Sequence, residues 1–546
     1  MDTTIEFCVL IGGTIGLATI FGTYLARLIT FEMRPLEKTL ARIESGFYKV
    51  IGINATKQMN WKEYFLALFV TNMVVVAFII LILTFQSYLP LAEANKGGFS
   101  FDLAFNTAIS FITDTNLQHY AGDQQITITS QMVAITFTMF IAPASGIATA
   151  FAFIRSFIRK NYGLGNFYVD FIRIIITLLL PIAFVSSLIL MVIGVPQTLQ
   201  STIQTNTLEG IVNNNFTNTQ KITIGPVASL ESIKELGSNG GGFFGSNSGH
   251  PFENPTGISN IYEMFLMLII PLSFPIAYAK LMGKGRGLSI LIAMLIGFGT
   301  LIVIATTQVS GPSFLETRFG NFGSVLFNTV SLASNTGAAN SALTGMSPNA
   351  IISFFLAMFV QAIPGAVGTG MITTIVYVLL TLFIVGLMVG KSPEFMSMKI
   401  SPKDIKLAVF FFLLHPAIIL IPTVIAMGTG NAQAIVGDKM TPMGYTQTLY
   451  DYTSAAANNG SDYFGTSANT PFWNYSTAIV MFLGRYLPFG LILAIAGSFT
   501  AKDRKEVIEP IKTKGPVFIA VLVTITFLLT ALTFFPFLIL GPFSLQ

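Results

Sequence analysis

The chain has 546 residues, 53% of them hydrophobic and only 10% charged, with a mean hydropathy of +0.71. Soluble domains carry about 25% charged residues, so this balance excludes a water-soluble globular protein and points to an all-α polytopic membrane protein. The net charge of +4 is spread so that it reports membrane topology and gives no sign of a nucleic-acid partner.

A bilayer core takes roughly 20 apolar residues per helix, and ten candidate spans follow in order: 9–29, 64–85, 128–154, 174–195, 262–278, 288–309, 350–389, 407–427, 475–497 and 517–540. The first is preceded by Asp2 and Glu6, where a cleaved signal would carry Lys or Arg, so it reads as a retained helix that starts outside. Segments 30–62, 155–173, 280–286, 391–406 and 497–514 hold 22 of the 29 Lys and Arg residues. Cytoplasmic loops carry that excess, so both termini and the remaining connections face outward. Cys8 is the only cysteine, which leaves no intrachain disulfide and no Cys-built metal site.

Four polar hairpins, three of them bearing glycine, interrupt the apolar pattern: Thr113-Asp-Thr-Asn116, Ser238-Asn-Gly-Gly-Gly-Phe243, Ser334-Asn-Thr-Gly-Ala338 and Ala457-Asn-Asn-Gly-Ser461. One such pair is a turn signal anywhere. Four, each flanked by long apolar segments, outline four pore loops in one polypeptide. A dehydrated cation needs oxygens in place of its hydration shell, and backbone carbonyls from four loops supply them within a membrane. Each loop follows a stretch of short-helix length, at 102–112, 225–237, 319–333 and 444–457, whose negative dipole end would face the ion. The repeat unit is therefore helix, pore loop, helix. It divides the chain into 1–61 (first span and cytoplasmic connection), 62–160, 161–284, 285–402 and 403–505 (repeats 1 to 4) and 506–546 (last span). The Thr-, Asn- and Gln-rich stretch 197–221 reads as a loop resting on the outer surface.

The seventh span is too long for one ordinary helix, and Pro364, Gly365, Gly368 and Gly370 interrupt it. Proline removes a helix hydrogen bond and glycine loosens the backbone, and unwound backbone at membrane depth survives only when buried in protein or lining a watery cavity. The interruption is a candidate gate below the loops. Arg485 sits near the centre of the ninth span, where a cation faces the protein interior and has a partner. Three roles stay open for it: acting on ions beneath the loops, contacting the broken helix, or bonding to backbone carbonyls. His415 reads as a packing residue. His119 and His250 lack companions at metal-ligand spacing, so no metal is assigned beyond the transported ion. Gly386-Leu-Met-Val-Gly-Lys-Ser392 has three residues where a phosphate-binding loop needs four, and it follows no strand. Gly283-Lys-Gly-Arg-Gly287 is too short a turn to hold a nucleotide.

Several motifs carry a family resemblance over essentially the whole length. They are Arg34-Pro-Leu-Glu-Lys38, Trp61-Lys-Glu-Tyr64, Phe105 to Asn116, Ser238-Asn-Gly-Gly-Gly-Phe-Phe244 with His250-Pro-Phe-Glu-Asn-Pro255, Glu316-Thr-Arg-Phe-Gly320, Gly390-Lys-Ser-Pro-Glu-Phe395 and Thr453 to Ser461. In these the chain resembles the potassium-binding A subunits of bacterial Kdp potassium-transporting ATPases, within the superfamily of potassium transporters. The resemblance implies capture of external potassium at a fourfold pseudosymmetric selectivity filter and sideways passage through an intramembrane tunnel into a P-type ATPase subunit. It implies filter positions at Thr113, Asp114, Thr115 and Asn116 with Gln118 close by, at Asn239, Gly240, Gly241 and Gly242, at Asn335, Thr336 and Gly337, and at Asn458, Asn459 and Gly460. It also implies a bacterial cell membrane, a P-type (KdpB-like) partner, small accessory (KdpC-like and KdpF-like) subunits, surrounding lipid, and no cofactor other than potassium as transported ion. The chain has no Asp-Lys-Thr-Gly-Thr phosphorylation motif, and Asp438-Lys-Met-Thr441 is no substitute, so it is no enzyme by itself and hydrolysis falls to the partner. Two positions depart from the family pattern. Gln361 stands where an acidic residue is expected, which puts in doubt a salt bridge from Arg485 to the broken helix. Asp114 stands where Asn is usual, either to attract cations or to be solvated at the mouth. Alternatives are a stand-alone potassium channel or symporter of the Trk or Ktr type, and a secondary transporter for another substrate. The second of these calls for inverted repeats and intramembrane acids, whereas the repeats here run in one direction and the sequence shows almost no acids placed to be buried.

Overall fold

The computed structural model describes residues 3–32, 37–93, 96–158, 163–206, 211–212, 215–216, 219–308, 315–437, 440–502 and 511–545. Asp2, Arg34 to Leu36, Asp438, Lys439 and residues 503–510 of the last basic segment lie outside them. Among the described residues, ten helices are long and apolar enough to cross a membrane, from Glu6–Ile29 to Pro516–Leu540. A helix satisfies most of its backbone polar groups within its own segment, which is what lipid requires of a span.

Four shorter helices stand between them: Phe101–Ile112, Val227–Leu236, Gly320–Ala333 and Pro442–Ala457. All four are almost wholly buried after their first turn. They form the centre of the molecule, and the spanning helices pack round them. Ile128–Arg155 is the most enclosed span, with 89% of its apolar window buried, because it borders both the first short helix and the broken helix. The first and last spans lie at the rim, 28% and 33% buried. The first packs along Gly257–Met282, and closely enough that a Cβ on Gly22 would come within 2.7 Å of Ile276.

The seventh span divides into Pro348–Val360 and Thr369–Val389. Gln361 ends the first half in the left-handed conformation, φ 52°, and Gly365 and Gly368 follow at φ 74° and 79°, which a side chain resists. The interruption therefore falls where proline and glycine place it.

One reading of the connections is corrected. The insertion after the fourth span contains a two-stranded antiparallel ribbon, Thr202–Asn206 against Thr219–Thr223; alternating Thr and Ile favour strand over loop. The connection after the first span contains a helix, Glu37–Ile51, with Ile43, Phe47 and Val50 exposed. Two spans also carry π-helical turns, at Gln131–Thr136 and Ile175–Leu179.

Candidate functional site: a ring of four loops

All four loops leave their short helices in the same way. The N–H of Thr115 donates to Ser110 O at 3.0 Å, Asn239 to Lys234 O at 2.9 Å, Thr336 to Ser331 O at 2.7 Å and Asn459 to Ser454 O at 2.9 Å. This closure over six residues needs a left-handed residue just past the helix. Asp114, Ser238, Asn335 and Asn458 fill that place, with φ between 52° and 62°. Two residues on, the backbone is left-handed again, at Asn116 (56°), Gly240 (73°), Gly337 (78°) and Gly460 (96°). Alternation of this kind turns successive carbonyls to one side of a chain. Asx, Ser and Gly at these positions follow directly, since their left-handed cost is lowest.

The loops close on one another in cyclic order. Asn116 Nδ2 donates to Gly240 O at 3.0 Å, joining the first loop to the second. A Cβ on Gly240 would collide with Thr336 O, one on Gly337 with Asn459 O, and one on Gly460 with Thr115 O. Second meets third, third meets fourth, and fourth meets first. Side chains fix the ring from behind. Asn239 Nδ2 donates to Met139 O and Ile233 O, both at 3.1 Å. Asn335 Nδ2 reaches Ala457 O at 3.1 Å, and Asn458 Nδ2 reaches Thr115 Oγ1 at 2.9 Å and Met481 O at 3.0 Å. Gln118 clamps the second loop from both ends of its amide: Gly242 N donates to Oε1 at 2.8 Å, and Nε2 donates to Gly242 O at 3.1 Å. Thr113 and Thr115 share a hydroxyl contact of 2.8 Å, matched by Ser334 and Thr336 at 2.7 Å.

Cavities lie on either side. One, of about 980 Å³, is open and lined by Asn116, Gly241, Gly337, Gly460 and the carboxylates Asp123 and Asp462. The other, of about 70 Å³, is lined by Asn335, Asn458, Gln361, Thr369, His415 and Arg485. The loops thus run from the small cavity to the large one, and the four helix C-termini abut the ring between them. Burial raises the Asp462 carboxyl to about 7, against a backbone hydrogen bond from Gly465 that lowers it.

The broken helix is seated beneath the ring. Gly365 N donates to Ala333 O, the last residue of the third short helix, at 2.9 Å. A Cβ on Gly368 would come within 2.8 Å of Gly146 O, and one on Gly146 within 3.1 Å of Arg485 Nη2 and 3.3 Å of Val367 O. Pro364 and Gly370 meet across the same turn.

Arg485 finds its partner in the first loop. Its Nη2 donates to Asp114 Oδ2 and to Ala142 O, each at 3.1 Å, and its guanidinium lies 4.8 Å from the Phe489 ring centre. Asp114 is 1% exposed, so it is not solvated at the mouth; buried and ion-paired, it ties the loop to the ninth span. Gln361 bonds to His415 (Nε2 to ring nitrogens, 3.0 and 3.2 Å), and His415 Nε2 also lies 3.2 Å from Met358 O. Asp114 and Gln361 therefore have different partners, although Arg485 and Gln361 line the same small cavity. His119 Nδ1 lies 2.7 Å from Asn474 Oδ1, and His250 stacks on Phe244 at 3.7 Å.

Two features escaped the sequence. The Asp114 to Arg485 pair joins residues 371 apart, beyond any local pattern. A carboxylate cluster round Lys234 had only Glu231-x-x-Lys-Glu235 to announce it, and with Asp114 and Asp170 it corrects the expectation of almost no buried acids.

Comparison with known proteins agrees with this architecture. The family model described as "Potassium-transporting ATPase A subunit" matches residues 8–545. A protein of Caldanaerobacter subterraneus subsp. tengcongensis named "Potassium-transporting ATPase potassium-binding subunit" is 40% identical over 563 aligned positions, covering 100% of this chain and 99% of that one. The crystal structure of the potassium transporter TrkH from Vibrio parahaemolyticus superposes with a TM-score of 0.54 at 14% identity, covering 91% of this chain and 100% of TrkH, a likeness of fold.

Proposed function

The chain belongs to the family of potassium-transporting ATPase A subunits, multi-pass membrane proteins that work as one subunit of a larger complex, and from that premise we propose that its ring of loops is a potassium selectivity filter. Potassium enters from the large outer cavity, sheds its water against carbonyls of Thr115, Asn239, Thr336 and Asn459 and their neighbours, and is held by four negative helix ends. Pore loops and both termini face outward across a bacterial cell membrane.

Below the ring, the turn at Pro364 to Gly370 acts as the gate to the cytoplasm, with the Arg485 charge beside it. The ion leaves sideways. Support for that route comes from a second small cavity, about 20 Å³, lined by Ala362, Ile363, Thr374 and the last span's Leu522 and Thr526. Tyr377 lines both it and the cavity under the ring. ATP is hydrolysed on a P-type (KdpB-like) partner, with small KdpC-like and KdpF-like subunits completing the complex, since this chain lacks a phosphorylation motif.

The observation that carries this reading is the cyclic closure of four equivalent loops. Its test is potassium-stimulated ATP hydrolysis by the affinity-purified protein, with co-purifying chains identified by mass spectrometry. Activity that tracks a P-type subunit, and is lost from the isolated chain, supports it. Rapid potassium flux through the isolated chain in liposomes without ATP would replace it with a stand-alone channel or symporter.

A further inference from the structure

Behind the second loop, four carboxylates and one ammonium are shut away from solvent. Glu231, Lys234 and Glu235 lie on the second short helix, Glu253 on the loop after it and Glu263 on the next span; all five are 0% exposed. Lys234 Nζ takes one oxygen from each of three: Glu231 Oε1 at 2.8 Å, Glu253 Oε2 at 2.8 Å and Glu235 Oε1 at 3.3 Å. Glu253 is completed by Phe244 N at 2.8 Å. Ser248 Oγ lies 3.1 Å from Glu231 Oε1 and 3.4 Å from Glu235 Oε1.

Four oxygens are then left over. Glu231 Oε2, Glu235 Oε2 and both oxygens of Glu263 have no hydrogen-bond partner among the described residues. Glu263 is the telling one, because it arrives from a different element and the donor nearest its carboxylate, the Ser248 hydroxyl, is already shared with Lys234, Glu231 and Glu235. One oxygen from each of Glu231, Glu235 and Glu263 lies within 4.8 Å of the others. Buried carboxylates require counter-charge and donors, and one ammonium against four carboxylates leaves the ionised group three charges short. A shared proton would serve a single pair of oxygens. A cation with six to eight oxygen ligands serves all four at once.

We propose that Glu231, Glu235 and Glu263 hold one buried divalent cation of calcium size, which locks the second short helix to the following span and so fixes the loop 238–242. The choice of ion follows from the burial. Magnesium dehydrates reluctantly and keeps several waters, whereas calcium accepts a flexible cage of protein oxygens, and the three carboxylates here are closed off from solvent. Three carboxylates also suit a hard divalent ion in preference to soft or nitrogen-loving metals.

The test uses the whole protein, purified in detergent with whatever chains accompany it. Metal content is counted after exhaustive chelator dialysis and calcium add-back, and thermal unfolding is followed with calcium alone and magnesium alone. About one calcium per chain is expected, with a calcium-dependent rise in unfolding temperature, and both absent from Glu263→Gln. Should that variant fail to fold, Glu231→Gln is read by the same two measurements, and Glu63→Gln, an exposed carboxylate paired with Lys57 at the start of the span Trp61–Thr84, keeps the metal. No stoichiometric calcium, equal calcium in the cluster variant, or restoration by magnesium alone would overturn the assignment. So would an infrared band of protonated carboxyl that persists in calcium and is lost in Glu263→Gln.

Discussion

Replacing Gly240 by alanine bears hardest on the ring. At φ 73° the backbone is left-handed, which costs an alanine about 1–2 kcal/mol of stability. The added Cβ would also collide with Thr336 O and come within 2.9 Å of Thr336 C and 3.1 Å of Gly337 C, so the third loop must give way. If Thr336 O is a potassium ligand, displacing it forfeits an interaction with a charged group worth about 1.5–3 kcal/mol. That corresponds to roughly 10- to 150-fold weaker potassium binding. The assay is the potassium concentration for half-maximal ATP hydrolysis by the purified complex, with sodium and rubidium as competitors. Gly299→Ala is the control: it lies in the helix Lys284–Thr306 with nothing within 4 Å of its Cβ, and the exchange is neutral or stabilising by up to about 1 kcal/mol. Half-saturation within twofold of the wild type in a well-folded Gly240→Ala protein would refute the placement of these carbonyls round the ion.

Asp114→Ala strands Arg485 without its partner and is expected to cost about 3–5 kcal/mol; Asp114→Asn, which keeps an acceptor, loses less, and a double change with Arg485→Met recovers part of the loss in thermal unfolding. Gln118→Ala removes both bonds to Gly242 and leaves a buried loop short of partners, lowering stability by about 1–3 kcal/mol and broadening ion selectivity. Asp462 gives the large cavity a pH dependence. A carboxyl raised to about 7 is neutral below that pH and negative above it, so potassium affinity rises as the pH on that side rises through 7. Asp462→Asn flattens the profile in a pH series of half-saturation constants; an unchanged slope would remove Asp462 from the entry path.

The parts visible beforehand were those with local causes. Asn, Ser and Gly at the left-handed positions of each loop announce the turn they make, so Asn335, Gly337, Asn458 and Gly460 appeared together with the helices before them. Pro364 to Gly370 broke the seventh span for the same reason. Contacts between distant residues stayed hidden: Asp114 is paired only once the ninth span folds back beneath the first loop, and Glu263 meets Glu231 only across two packed elements. The ribbon Thr202–Asn206 was lost to a different cause. Its polar composition suggested a loop, although alternating Thr and Ile carried the opposite signal.

The most direct measurement is an anomalous-scattering map of the complex grown in rubidium or thallium as potassium substitutes. Density on the axis of the ring, between the carbonyls of Thr115, Asn239, Thr336 and Asn459, is the expected result. An empty ring with the ion held elsewhere in the chain would contradict the assignment of these four loops as the filter.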